Sequence, residues 1–191
     1  MKSRGLTLVE ALVAVAVLGI LLAVAAPSLA DLMNRRRVQA VADQLVADLA
    51  YTRTETALRA QLVSFHLNVN VTPNCYSIHY DIGGGGSCDC ARGAGKACTR
   101  LRGDVAPGFE LKTYSVPAGV GVTIQPVLSS WPAGSPTNII SFDRPQMTPT
   151  PANAQILVMG KRGAQLMVQL NQAGRINMCS PGGSMGGVAP C

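Results

Sequence analysis

The chain divides by its pattern of apolar and polar positions into a lipid-type rod, an amphipathic rod and a run of alternating segments. Residues Leu6 to Ala30 are apolar, interrupted by Thr7, Glu10, Gly19, Pro27 and Ser28. A stretch of that length can cross a bilayer, for which about 20 residues suffice. Beyond Pro27, Val38, Val41, Leu45, Leu49 and Thr52 recur at three- and four-residue steps, with Arg36, Asp43, Asp48 and Arg53 elsewhere on the helix. Proline inside such a pattern predicts a kink rather than an end, as membrane helices tolerate. Leu6 to about Arg59 is therefore predicted as one long bent helix of roughly 80 Å.

Past the rod the period changes to two. Val63, Phe65, Leu67, Val69 and Val71 alternate with Ser64, His66, Asn68 and Asn70, which predicts a strand with one wet face. Tyr76, Ile78, Tyr80 and Ile82 alternate with Cys75, Ser77, His79 and Asp81. Further strands are predicted over Phe109–Ser115, Gly119–Gln125, Asn138–Phe142, Gln155–Met159, Ala164–Asn171 and Arg175–Cys179, with long loops at Gly83–Gly103 and Ser129–Pro136. Gly160-Lys161-Arg162-Gly163 and Asn171-Gln172-Ala173-Gly174 are hairpin signals that join the last three strands into a meander. The expected fold is α+β. A long N-terminal bent helix, transmembrane in its first half and amphipathic in its second, packs on a C-terminal antiparallel two-sheet β-domain.

Composition agrees. The chain has 191 residues, with 20 Gly, 12 Pro and only 4% aromatic residues, which favours strands and turns over a helical bundle. Its six cysteines, Cys75, Cys88, Cys90, Cys98, Cys179 and Cys191, all follow the rod, as expected for a domain in an oxidising compartment. Cys179 and Cys191 flank a Gly/Pro-rich tail and are expected to close it. The other four supply two more bridges among three possible pairings. Zinc at Cys88, Cys90 and Cys98 is the competing reading, but the loop lacks paired Cys-x-x-Cys knuckles. His66 and His79 are expected as a surface pair. The sequence contains no nucleophile–base–orienter set and no phosphate-binding loop, so neither enzymatic activity, cofactor nor metal is expected.

The start of the chain admits two readings. Lys2 and Arg4, the apolar Ala11–Leu22 and the small residues Ala23-Val24-Ala25 would suit an ordinary secretory signal cut before Ala26. Charge counting does not decide, because Arg35, Arg36 and Arg37 outnumber Lys2 and Arg4. Two features oppose cleavage there. A discardable segment needs no carboxylate such as Glu10, and the helical pattern continues past Pro27.

Gly5-Leu6-Thr7-Leu8-Val9-Glu10 resembles the prepilin-type signal of type IV pilins and pseudopilins. The resemblance implies cleavage between Gly5 and Leu6 by a prepilin peptidase/N-methyltransferase, N-methylation of Leu6, and Glu10 as fifth residue of the mature chain. Leucine stands where that family most often has phenylalanine. The resemblance further implies that Glu10 pairs with the Leu6 amine of a neighbouring subunit, since a carboxylate buried in a helical bundle needs a counter-charge. Asp48, Leu49, Arg53 and Glu55 resemble the helix end of FimT-like and GspH-like minor pilins. The implied division is a leader at 1–5, an assembly helix at 6–30 marked by Pro27, its amphipathic half at 31–61 and a GspH-like domain at 62–191.

The implied function is structural: an inner-membrane subunit with a periplasmic domain, assembling into a type IV pilus or a type II secretion pseudopilus in a tip or priming role. Implied partners are other minor pilins or pseudopilins, the major pilin and the inner-membrane assembly platform. A second implied role is phosphate contact with DNA, which some FimT-like pilins make through a glycine-arginine-x-arginine motif. Here the matching residues are Gly174-Arg175-Ile176-Asn177, so the second arginine is missing. Residues from Val63 onward carry nine basic and five acidic side chains, a surplus of four. Lys161 and Arg162 could add to Arg175, yet successive turns of a meander lie at opposite ends. A third reading is a soluble domain released by ordinary signal peptidase.

Overall fold

A computed structural model describes residues 7–59, 61–81, 88–98, 108–131, 138–144 and 146–191. Gly5, Leu6 and much of the two expected long loops lie outside the described residues. Helix α1 (Leu8–Arg59) runs through Pro27 without interruption over 52 residues, about 78 Å at 1.5 Å each. It is followed by β1 (Val63–Asn68), β2 (Cys75–Asp81), β3 (Gly108–Ser115), β4 (Thr123–Pro126), β5 (Ile139–Asp143), β6 (Thr148–Thr150), β7 (Gln155–Met159), β8 (Gln165–Leu170) and β9 (Ile176–Cys179). They form two antiparallel sheets ordered β3-β2-β1-β5-β6 and β4-β7-β8-β9.

Three departures from the sequence reading have local causes. β1 stops at Asn68 rather than running to Val71, because the Asn68 side chain accepts the Asn70 N–H at 3.1 Å and turns the chain. β6 is an additional strand. Pro149 disguises it, but it sits at a sheet edge opposite Phe142, where a missing N–H is tolerated. The supposed wet face of β1 and β2 is largely covered. Cys75 through His79 are buried on both faces of β2, beneath the segment around Cys88–Cys98.

Only the second half of α1 enters the core. Its buried residues begin at Asn34 and continue through Val38, Val41, Ala42, Leu45, Leu49, Thr52 and Thr56. Val38, Ala42 and Leu45 have no exposed surface, and they share one cluster with Phe65, Tyr76 and Ile78 of the first sheet and Ile156, Val158, Leu166 and Val168 of the second. The Thr52 and Thr56 hydroxyls satisfy themselves by donating to the carbonyls of Asp48 and Thr52.

Asp48 departs most from the sequence reading, which placed it away from the stripe. It is 2% exposed. Its Oδ2 accepts the Tyr76 hydroxyl at 2.7 Å and its Oδ1 pairs with Lys112 Nζ at 2.6 Å. The spacing was informative: Asp48 stands three residues after Leu45 and four before Thr52, on the core side. Tyr76 stacks on Tyr114 with centroids 5.1 Å apart. Burial, together with the adjacent Asp48 charge, pushes the Tyr76 hydroxyl far above its ordinary range, so it remains a neutral donor. Burial and then Asp48 also raise Tyr114.

The turns of the meander clasp the helix at two levels. The β7–β8 turn reaches Asn34, whose side chain donates to the Lys161 carbonyl and accepts its N–H at 3.1 Å. A Cβ at Gly160 would lie 2.4 Å from Val38 Cγ2 and 2.9 Å from Asn34 Oδ1, so the approach requires glycine. The β8–β9 turn reaches Arg53, whose Nη1 donates to the Gly174 carbonyl at 3.2 Å.

Gly160→Ala should therefore lower stability by about 1–3 kcal/mol through overpacking, read by denaturant unfolding. A neutral effect would show that the clasp gives way freely. Asp48→Asn should cost roughly 1 kcal/mol, because the amide oxygen can still accept from Tyr76. Lys112→Ala should cost more, up to about 3 kcal/mol, because it leaves a buried carboxylate without its cation. The double variant should resemble Asp48→Asn alone. If Lys112→Ala proves the milder change, the ion pair does not hold the helix to the sheet.

Candidate functional site: an exposed apolar rod and its basic junction

Among the described residues, the first half of α1 buries no side chain against the rest of the protein, and the β-domain reaches it only near its end, around Pro27 and Leu32. From Leu8 to Met33 its side chains are exposed, apart from half-buried Asp31, with Leu8 at 77%, Ile20 at 66% and Val24 at 73%. So much contiguous apolar surface marks a membrane or protein contact. The helix is long and apolar enough to cross a membrane. Thr7 opens it: its hydroxyl accepts the Glu10 N–H at 3.3 Å and its carbonyl accepts from Ala11 at 3.2 Å. No ion pair joins the Glu10 carboxylate to another of the described residues. Glu10 is thus a single acid on an apolar surface.

Pro27 lies where the β-domain first meets the rod. Its carbonyl accepts from Arg162 Nη1 at 3.3 Å. Two turns further, Arg35 pairs with Asp31 at 2.8 Å and donates to the Ser184 carbonyl at 2.9 Å. A cleft of ≈ 270 Å³ beside it is lined by Leu32, Arg35, Arg36, Gln39, Met185 and Gly186. At the far end of the helix Arg59 pairs with Glu55 and lies over the Tyr80 ring at 5.5 Å. The hydrogen bond that the Arg59 guanidinium donates to Glu55 holds it above its ordinary range.

The cysteines form three disulfides, Cys75–Cys90, Cys88–Cys98 and Cys179–Cys191. The first fastens the cysteine-rich segment to β2. The Cys88 carbonyl accepts from the Ser77 hydroxyl and meets His66 Nδ1 at 2.9 Å, while the Asn138 amide meets His66 Nε2 at 2.8 Å. Burial depresses the His66 imidazole, opposed by the Cys88 carbonyl and Asp89. His79 is 2% exposed, and its ring lies 6.5 Å from that of His66. The two histidines are therefore not the expected surface pair, because the disulfide-bonded segment roofs them over. Donor atoms of His79, Cys88 and Cys98 lie within 4.8 Å of one another, but the two sulfurs are bonded to each other.

The basic residues considered for DNA are not brought together. Arg175 is exposed beside the turn clasped at Arg53, whereas Lys161 and Arg162 lie on the turn clasped at Asn34. Nineteen residues of helix separate those two levels, roughly 28 Å. The Lys161 side chain leans across Gly121, into a groove of ≈ 540 Å³ next to β4. Sequence reasoning did not single out Arg35–Arg37 as a site, although three adjacent arginines just past an apolar helix were a visible signal.

Residues 1–26 match the family described as the prokaryotic N-terminal methylation motif. No curated protein sequence matches the chain. Among solved structures, the chain is similar to the type IV minor pilin FimU of Pseudomonas aeruginosa (strain PAO1), with a TM-score of 0.52 and 17% identity over 82% of this chain and 98% of that one. A second crystal form of FimU gives 0.48 and 18% over 78% and 98%. The minor pseudopilin EpsH from the type 2 secretion system of Vibrio cholerae gives 0.45 and 13% over 76% and 98%. The chain thus joins a prokaryotic N-terminal methylation motif to the fold of a type IV minor pilin.

Proposed function

We propose that the protein is a structural minor pilin or pseudopilin, anchored in the bacterial inner membrane by the first half of α1 with its β-domain in the periplasm. The observation that carries this reading is the division of one unbroken helix into an exposed apolar half and a half built into a folded domain. Such a helix offers lipid a surface before assembly and neighbouring rods a surface after it. Continuity through Ala23–Ala26 also favours the anchored chain over a domain released by signal peptidase, since cleavage there would cut a regular helix.

In this reading a prepilin peptidase/N-methyltransferase cuts after Gly5 and methylates Leu6. Glu10 then faces the Leu6 amine of the next subunit, which sets the axial register between rods, while Pro27 marks the end of the lipid-type half. The partners are other minor pilins or pseudopilins, the major pilin and the inner-membrane assembly platform. The role is to prime or cap a type IV pilus or a type II secretion pseudopilus.

Mass spectrometry of the membrane-fraction protein should find a chain beginning at N-methylated Leu6. A chain beginning at Ala26 would exclude the pilin reading. Glu10→Ala should insert into membranes at least as well as wild type, because a costly charge has been removed from the bilayer. Co-purification with partner pilins should nevertheless fall. Undiminished co-purification would show that the carboxylate does not set the register.

A further inference from the structure

We propose that Arg35, Arg36, Arg37 and Arg162 form a collar that binds the phosphates of anionic phospholipids on the bilayer face nearest the β-domain. The inference rests on the membrane-anchored reading above. The exposed apolar run from Leu8 to Ala30 spans about 34 Å of helix, slightly more than the ~30 Å hydrocarbon core. Arg35 to Arg37 follow within about 10 Å of its end, at the level of the headgroups, and arginine stems are long enough to reach toward that layer.

The arrangement around the axis is the second argument. Consecutive helical residues step by about 100°, so the three adjacent arginines point to three sides of the rod. The domain occupies the remaining side, where Arg162 extends from its turn to the Pro27 carbonyl. Cations on every side suit a rod that passes through a charged plane. Contact with a duplex would instead gather them on one face. Asp31 is the only acid on α1 between Glu10 and Asp43, and it is occupied by Arg35. Exposed Arg36 lines a cleft whose walls include Leu32 and Met185, a cationic and apolar mixture suited to a phosphate with the start of its acyl chains. Membrane topology does not account for the cluster, because the positive-inside bias favours basic residues on the opposite side.

The test uses the full chain. Flotation with phosphatidylcholine vesicles first reports the anchor. Protein in detergent is then offered equal phosphatidylglycerol and phosphatidylcholine, and retained lipid is counted by native mass spectrometry. Phosphatidylglycerol should be retained several-fold in excess. Each of Arg36→Gln, Arg37→Gln and Arg162→Gln should lower the preference, by up to about fivefold, and the triple variant should retain the two lipids equally. The corresponding lysine variants should keep it, as should the Lys96→Gln/Arg175→Gln control, and thermal unfolding should be unchanged throughout. Equal retention of the two lipids by the wild-type chain, or a preference indifferent to the collar, overturns the proposal. Duplex DNA binding through the same arginines without lipid preference overturns it as well. A chain that fails to float removes the anchor and this proposal together, whereas one that floats without preference removes this proposal alone.

Discussion

The packing of one helical stripe against two small sheets is the interaction on which the rest depends. Val38, Ala42, Leu45 and Leu49 meet side chains from both sheets in a single cluster. A five-stranded and a four-stranded sheet each turn one face toward the helix, which supplies apolar surface common to both. Asp48 adds direction to this contact. Two bonds to one buried carboxylate fix the rotation and height of the helix against Tyr76 and Lys112, which apolar packing alone specifies less tightly.

Much of this architecture was legible because its signals are periodic. A step of three or four identified the stripe on α1, a step of two identified β1 and β2, and the hairpin signal at Gly160–Gly163 joined β7 to β8. The misreadings share a cause in contacts distant along the chain. His66 looks like part of a wet face until Cys88, 22 residues later, closes over it. Asp48 looks solvent-facing until Lys112, 64 residues away, supplies its cation. Pro149 hides an edge strand that only its partner Phe142 reveals.

The candidate site divides along the same line. The resemblance of the first ten residues points to Gly5, Leu6 and Glu10, and the methylation-motif match over residues 1–26 covers that segment. The DNA reading offered Lys161 and Arg162 beside Arg175 for their charge, while the meander read from the hairpin signals already set their turns at opposite ends. The meander separates them, because consecutive hairpin turns emerge at opposite ends of a sheet.

The two clasps at Gly160 and Gly174 have a mechanical consequence. They grip the helix near Asn34 and Arg53, with the whole apolar stripe between them. A pull along the rod axis loads the lower clasp, the stripe and the upper clasp in parallel, as shear. A sideways pull on the lower end would peel the same contacts apart one after another. A rod held in this way resists axial extraction far better than lateral peeling, which suits the filament role proposed above.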